Sequence, residues 1–210
     1  MSALQKYLKK DYLQKVLICI FGNLIMGIGI ALTKMATLGN DPFNGSCMSV
    51  SAALNIPYTT YTLLFNTALF VFELLFGRKY IGFGTFVNWF LVCYVVDFFL
   101  PIWERLVGTP DIFVLRLLIL AGGLVVTSFG LAIYQAADAG VSPYDVIPLM
   151  VTDRHPKIPF FVARVTLDAL CTVSIPVCGG IVSIGTLATV FGMGPIVQIF
   201  TKLLFPDQKK

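Results

Sequence analysis

Long apolar stretches separated by short polar segments make up most of the chain. They are continuously apolar, without the alternation of polar and apolar residues that is typical of a membrane β-barrel. Each is about 20 residues long, which is enough to span a bilayer as a helix. Because backbone groups in lipid must be hydrogen-bonded internally, we expect six transmembrane helices. The predicted spans are roughly 16–35, 58–77, 80–102, 112–136, 158–178 and 182–204.

The composition agrees with this pattern. The 210 residues are 57% hydrophobic and only 12% charged, with a mean hydropathy of +0.85. A soluble domain of this length has too few charged side chains to cover so much apolar surface. We therefore predict an all-α membrane protein in contact with the lipid bilayer, built as a single membrane domain over residues 1–210.

Positive charge is distributed unevenly between the polar segments. If the N-terminus is cytoplasmic, 11 of the 15 Lys and Arg fall in the basic N-terminal segment 1–15, in two inner loops or at the C-terminal end. The positive-inside rule then predicts that both termini are cytoplasmic. The net charge of +4 reflects this topology and contact with anionic lipid. It does not indicate nucleic-acid binding, because the chain has no aromatic-basic motif for it. The four Lys and Arg residues that lie outside these inner segments are Lys34, Arg105, Arg116 and Arg164.

The two halves of the chain repeat one polar pattern. "TLGNDPFNGS" at 37–46 and "DAGVSPYDVI" at 138–147 align with an offset of 101 residues. Chance similarity between two apolar halves would match leucines, not glycines, prolines and polar residues in order. We predict repeat 1 over 16–102 and repeat 2 over 112–204. Three spans per repeat invert the second one, as in many secondary transporters. Matched pairs include Gly29 with Gly130, Lys34 with Gln135, Pro42 with Pro143, Asn66 with Asp168 and Asp97 with Gln198.

We call these two polar segments the first corner (37–46) and the second corner (138–147). Each corner predicts a short helix, over about 42–54 and 143–152. Asp41 and Ser142 are favourable N-cap residues, and proline is tolerated at the first helical position. Asn44 and Asp145 then fall where a side chain reaches back to the cap. Both helices are too short to cross the membrane, so we expect re-entrant or interfacial half-helices. They are either capped interfacial helices without a ligand, or their N-termini help to form a polar cavity between the repeats.

Polar residues at membrane depth are the strongest functional candidates. Asp168 lies mid-span with Arg164 one turn before it, and Asn66 is its partner in the repeat. Intramembrane ionisable residues usually face a cavity or a partner, although hydrogen bonds between helices are an equally good explanation for each one alone. The candidate substrate-binding or coupling residues are Lys34, Asn40, Asp41, Asn44, Asn66, Asp97, Gln135, Ser142, Asp145, Arg164, Asp168 and Gln198.

Other chemistry has little support in the sequence. Glu73 lies one turn before Gly77, so its carboxylate is expected to extend to the inner surface. The single histidine, His155, and five scattered cysteines give no metal-ligand pattern. No Walker, HExxH or GxSxG motif is present. We therefore predict a protein that is not an enzyme and has no metal or cofactor.

Three segments resemble a known family. The "LGNDPFN" corner, "NIPYTTYTLLFN" and "GRKYIGFGT" are similar to the YczE/YitT-like integral membrane proteins of bacteria. The resemblance covers almost the whole chain. YitT-type chains often carry a soluble C-terminal domain, whereas this chain ends soon after its sixth span, so the shorter YczE-like group fits better. The resemblance implies a bacterial inner-membrane protein and names no substrate.

Three functions fit these observations. The first is a small secondary transporter for a small polar solute, with a midplane site between inverted repeats and Asp168 as the candidate for proton coupling. The second is a non-catalytic accessory or scaffold protein, acting as a homodimer or with a partner membrane protein. The third is the substrate-binding subunit of a larger importer. A polar cavity of ligand size at the midplane favours transport, and a dry, packed interior favours the scaffold.

Overall fold

Helices account for the regular structure of the chain. The computed structural model describes residues 10–39, 41–108 and 110–205, and within these ranges it contains eight α-helices, one 3₁₀ turn at Arg78–Tyr80 and no strand. The predicted all-α class is therefore confirmed. The helices are α1 Lys10–Met35, α2 Pro42–Ala53, α3 Tyr58–Phe76, α4 Phe83–Val107, α5 Phe113–Ala136, α6 Val146–Arg154, α7 Phe160–Val177 and α8 Ile184–Leu204.

Five helices in the described part of the chain are long and apolar enough to cross a membrane. The remaining predicted span, 58–77, corresponds to α3, whose apolar part, Thr60–Phe76, is shorter than the other five. At 1.5 Å per residue it rises about 25 Å, against a hydrocarbon core of about 30 Å. The five spanning helices contain Tyr12–Met35, Phe83–Val107, Phe113–Ala136, Phe160–Val177 and Ile184–Leu204.

The centre of the molecule is a close crossing of α1 and α5. A Cβ on Gly29 would lie 2.4 Å from the backbone nitrogen of Thr127, and one on Gly130 would lie 2.4 Å from that of Met26. Only glycine permits backbones to approach this closely. The partners of α5 fall in sequence as those of α1 rise, so the two helices run antiparallel. Their C-terminal ends, and the polar corners that follow, lie at opposite ends of the bundle.

The corners make matching contacts with the opposite half. The Gly84 N–H donates to the carbonyl of Ala139 at 2.8 Å, and the Gly185 N–H donates to that of Leu38 at 2.9 Å. The donors and the acceptors are each separated by 101 residues. Backbone angles repeat with the same offset, because φ is 51° at both Thr37 and Asp138, and 123° and 122° at the glycines two residues later. The start of α4 therefore packs on the second corner as the start of α8 packs on the first.

The two corner helices differ in where they begin. Helix α2 starts at Pro42 as predicted, and the Asp41 side chain accepts the Asn44 N–H at 3.0 Å. The predicted start of the second helix at residue 143 is wrong, because residues 143–145 form a turn and α6 begins at Val146. The physical reason is that the Asp145 carboxylate is drawn into contacts with distant side chains, described below.

The third helix of each half is packed differently. Helix α7 packs against α2, α6 and α8, whereas the main contacts of α3 are with α2 and the 3₁₀ turn that follows it. That turn is fixed to α6, because the buried Tyr80 hydroxyl donates to Asp153. Burial raises the pKa of Tyr80 to about 12, so the hydroxyl keeps its proton for this bond at neutral pH. Residues of α3 and α4 line a cavity, which is described below.

Candidate functional site

A cavity of about 460 Å³ lies between the two halves of the molecule. Its walls come from all eight helices or the corners that precede them, and its volume lies in the range of small-molecule sites. Most of the predicted site residues meet here although they are distributed over more than 120 positions of sequence. The predicted residues that line the cavity are Asp41, Asn44, Asn66, Ser142, Asp145, Arg164 and Asp168.

Arg164 is the centre of an ionic cluster at one side of the cavity. Its guanidinium forms ion pairs with Asp145 and, from Nε at 3.1 Å, with Asp168. All three residues are at least nine-tenths buried. An isolated charge in such a place would be strongly unfavourable, and pairing with hydrogen bonds is what makes this burial tolerable. The i,i+4 spacing on α7 that the sequence showed is therefore one half of a three-residue cluster.

Neighbouring hydroxyl groups complete the hydrogen bonding of the two carboxylates. The Tyr144 hydroxyl donates to Asp168 at 2.6 Å, and Tyr134, which is fully buried, donates to Asp145. The Ser142 hydroxyl also donates to Asp145, at 2.9 Å. These bonds hold both carboxylates in place around the guanidinium. A carboxylate held by hydrogen bonds to its charged form gives a rigid, preorganised site.

The corresponding side chains of the first half form a polar group without a basic residue on the other side of the cavity. Asn44 donates from its side chain to Asp41 at 2.7 Å and accepts from the Tyr58 hydroxyl at 2.8 Å. Asn66, the counterpart of Asp168, has no hydrogen-bond partner among the described residues. Its amide is therefore available to an occupant of the cavity.

Aromatic rings join the two sides. Phe43 and Tyr144, equivalent residues of the two corners, have ring centroids 4.9 Å apart with a tilt of 54°. The guanidinium carbon of Arg164 lies 5.0 Å from the centre of the Tyr144 ring, within the distance of a cation–π contact. Trp89 and Tyr58 also line the cavity. The cavity thus combines charged, amide and aromatic surfaces.

The other predicted residues lie away from the cavity. Lys34 and Asp97 are exposed on the protein surface, and Gln198 is half-buried in α8. Gln135 is buried, and its side-chain nitrogen has no hydrogen-bond partner among the described residues. Asn40 lies outside the residues that the structure describes. The matched positions near the helix ends therefore do not meet at one centre.

Sequence reasoning missed several residues of the site and misjudged one nearby. Tyr144 and Phe43 are the aromatic residues of the repeated corner, a signal that was present but not assigned a role. Thr127 lines the cavity, is only 3% exposed and has no hydrogen-bond partner for its hydroxyl within the described part of the chain. The prediction for Glu73 is wrong. It is 0% exposed, and neither carboxyl oxygen has a partner among the described residues.

A second groove lies at the surface of the molecule, with a volume of about 730 Å³. It is bounded by the first corner, by α2 and by the connection between α7 and α8. No charged residue lines it, so it has none of the chemistry of the inner cavity. Across the described ranges, no group of three or more His, Cys, Asp or Glu residues is arranged to hold a metal ion.

Comparison with known proteins gives a family and distant relatives. A family of unknown function (DUF6198) matches residues 13–202. An uncharacterized protein of Haemophilus influenzae is 25% identical over 189 residues, covering 89% of this chain and 83% of that protein. The uncharacterized protein YyaS of Bacillus subtilis is 25% identical over 183 residues, covering 87% of this chain and 90% of its own.

A third relative bears on the resemblance found in the sequence. The uncharacterized membrane protein YczE of Bacillus subtilis is 24% identical over 137 residues, covering 63% of this chain and 60% of that protein. The expected similarity to the YczE-like group is confirmed, and with it the assignment as a membrane protein. No solved structure matches the chain significantly.

Proposed function

The chain belongs to the family of unknown function DUF6198, and we propose that it is a small secondary transporter for a small polar solute. In this proposal the solute binds in the cavity between the two halves, near the middle of the membrane. The observation that carries the proposal is that cavity, because it is of ligand size and has buried charges in its wall. A scaffold protein has no need of a buried ionic cluster beside an open polar space.

Six spans in two inverted repeats are part of the proposal. The support comes from contacts that recur with an offset of 101 residues: the crossing of α1 and α5, and the bonds from Gly84 and Gly185 to the opposite corners. Antiparallel packing of α1 and α5 is what a pseudo-two-fold axis in the membrane plane requires. In transporters of this kind, alternating access arises when one repeat moves against the other around the site.

Proton coupling is assigned to Asp168 in this proposal. Asp168 is 2% exposed, pairs with Arg164 and accepts from Tyr144 at the wall of the cavity. A proton taken up by its carboxylate would release one of the two ion pairs of Arg164, while Asp145 keeps the guanidinium paired. Protonation is thereby linked to the position of a charged side chain that borders the solute.

The experiment begins with a ligand screen on the purified protein. A solute that binds the folded state raises its thermal stability, and the best binder is then used for uptake into proteoliposomes with an imposed pH gradient. Asp168→Asn keeps the shape and removes the charge, so we expect it to fold and to lose pH-dependent uptake. Asp111→Asn is the control, since Asp111 is exposed in the loop between α4 and α5.

The two readouts on the Asp168 variant separate coupling from a purely structural role. Unchanged thermal stability with loss of pH dependence supports coupling. A large loss of stability, with uptake by the remaining folded protein still following the pH gradient, assigns Asp168 to structure alone. No uptake of any binder by the wild-type protein would contradict transport itself and favour the accessory or scaffold function.

The same proposal places the protein in the bacterial inner membrane with both termini in the cytoplasm. Its support is the distribution of Lys and Arg, and the contact of Lys15 with Asp138 at 3.2 Å joins two segments assigned to the inner side. Single cysteines at the two termini should be protected from an impermeant maleimide in intact cells and labelled after lysis. Labelling of either tail in intact cells would contradict this orientation.

A further inference from the structure

The cavity has two halves that are equivalent in the repeat but differ in charge. Around Arg164 lie Tyr144, Asp145, Asp168 and Met193. Together with Arg164 we call these the Arg164 half-site. Their repeat counterparts all line the same cavity and are called here the mirror half-site: Phe43, Asn44, Thr62, Asn66 and Val92.

The mirror half-site lacks the cation that fills the Arg164 half-site. Thr62 stands at the position of Arg164 and lines the cavity, and its side chain is shorter and carries no charge. The ring of Phe43 takes the place of the Tyr144 ring, over which the guanidinium of Arg164 lies. Amide oxygens of Asn44 and Asn66 replace the carboxylates. The mirror half-site therefore has an aromatic ring and oxygen acceptors that suit a cation, although amide oxygens are weaker acceptors than carboxylates. It has no basic side chain to fill the position.

The charge of the cavity also favours a cationic ligand. Its charged lining residues are Asp41, Asp145, Asp168 and Arg164, a formal net charge of −2 when all are ionised. Arg164 pairs with two of the carboxylates, whereas Asp41 has no basic partner within the described part of the chain. Asp41 adjoins the mirror half-site through its bond to Asn44. An anionic ligand is disfavoured there, and a cation gains a charge-assisted contact.

An unpartnered group deeper in the wall supports the presence of a ligand. Thr127 lines the cavity and is almost completely buried, and its hydroxyl has no hydrogen-bond partner among the described residues. Leaving such a group without a hydrogen bond is costly, so an occupant or its water is expected to satisfy it.

We infer that the solute is a small organic cation, of the primary amine or guanidine class, whose charged group binds in the mirror half-site against Phe43 and beside Asp41. This inference rests on the proposed transport function for the role of the site, but the binding it describes is measured without transport. The cation occupies the position equivalent to the Arg164 guanidinium. The remainder of a molecule of this size fits in a cavity of about 460 Å³.

The test compares three probes of nearly equal shape and different charge: benzylamine, benzyl alcohol and benzoate. We expect benzylamine to raise the unfolding midpoint of the full chain in detergent by about 3–6 °C at ten times its dissociation constant. Benzyl alcohol and benzoate are expected to give no shift at the same concentration. Equal shifts with all three probes, a shift with benzoate alone, or none with benzylamine would overturn the inference.

Variants of the mirror half-site locate the binding. Thr62→Arg supplies the missing guanidinium from the chain itself and is expected to abolish the benzylamine shift. Phe43→Leu, which removes the ring face, should weaken binding about 3–10-fold. Asp41→Asn keeps the helix cap and should weaken it about 10-fold or more. Benzylamine binding that is unchanged in every variant that folds would overturn the inference. If Thr62→Arg fails to fold, Phe43→Leu and Asp41→Asn decide the result.

Failure of the inference and failure of transport give different results. Benzylamine binding that Thr62→Arg removes, without uptake of any amine into proteoliposomes, supports the cation site and counts against transport. Uptake of a neutral or anionic solute without benzylamine binding supports transport and overturns the cation class.

Discussion

The two corners of the molecule begin from the same sequence pattern and end in different chemistry. At the first, Asp41 caps α2, Asn44 bonds to Asp41 and Tyr58, and no ion pair forms with a described residue. At the second, the Asp145 carboxylate accepts from Ser142 and Tyr134 and also forms an ion pair with Arg164. The backbone angles at the start of the two corners and the bonds from Gly84 and Gly185 match, while one half carries a cation and the other an open polar surface. Local backbone similarity therefore coexists with a difference in charge at the site.

The largest difference between the halves should appear when the side chain at the centre of each half-site is truncated. Arg164→Leu leaves Asp145 and Asp168 buried without a cation, which should cost about 3–5 kcal/mol. Thr62→Val, at the equivalent position, should change stability by less than about 1 kcal/mol, because this substitution leaves no buried charge without a partner. Thermal unfolding in detergent measures both variants. Similar losses in the two would show that Arg164 is not held as an essential partner of the carboxylates.

The crossing of α1 and α5 is a place where the two halves are alike, and matched glycine substitutions test this similarity. Gly29→Ala and Gly130→Ala each place a methyl group against backbone atoms of the other helix, so each should cost about 1–3 kcal/mol. Gly122→Ala is the control on α5, because a Cβ there meets nothing within 4 Å.

The thermal unfolding midpoint of each glycine variant in detergent measures the effect at the helix crossing. A cost confined to one of the two glycines would contradict the matched packing of the halves. Because alanine has a higher helix propensity than glycine, Gly122→Ala is expected to leave stability unchanged or slightly raised. A loss of stability in Gly122→Ala as large as in Gly130→Ala would show that the close approach of the two helices does not control the effect.

A smaller effect is expected at the first residue of each corner. Thr37 and Asp138 both have a φ of 51°, a region that Asp and Asn tolerate and that is unfavourable for a β-branched residue. Thr37→Asn should therefore stabilise the protein by about 0.5–1 kcal/mol. The reverse exchange, Asp138→Thr, should destabilise it by a similar amount plus the small contribution of the exposed Lys15 ion pair. Stabilisation in both variants would contradict the strain argument.

Local signals in the sequence predicted the parts of the fold that depend on local physics. Asp-Pro followed by Asn gave the start of α2, since an N-cap and its reciprocal bond involve residues three positions apart. The same reasoning misplaced the start of α6. There the decisive contact of Asp145 is with Arg164, on a helix 19 residues further along the chain.

The candidate site was predictable where the repeat alignment related polar residues, and less so elsewhere. Asn66 and Asp168 were paired by alignment, and both line the cavity. Lys34 and Asp97 were selected by the same rule but lie on the exposed faces of their helices, because alignment gives position along a helix more reliably than rotation about it. Glu73 was assigned to the inner surface from its position one turn before Gly77, whereas the folded chain buries it completely.

The proposed transport function requires a central site that opens to both sides of the membrane, and this access can be measured without knowing the solute. Asn66→Cys in a background without the five native cysteines is treated in proteoliposomes with a cationic, membrane-impermeant methanethiosulfonate applied to one side at a time. Leu64→Cys serves as the control, because Leu64 lies on the same helix and is exposed on its outer face. We predict that Asn66→Cys reacts from both sides and that Leu64→Cys reacts from neither. Reaction of Asn66→Cys from one side only, or from neither, would contradict alternating access to the site.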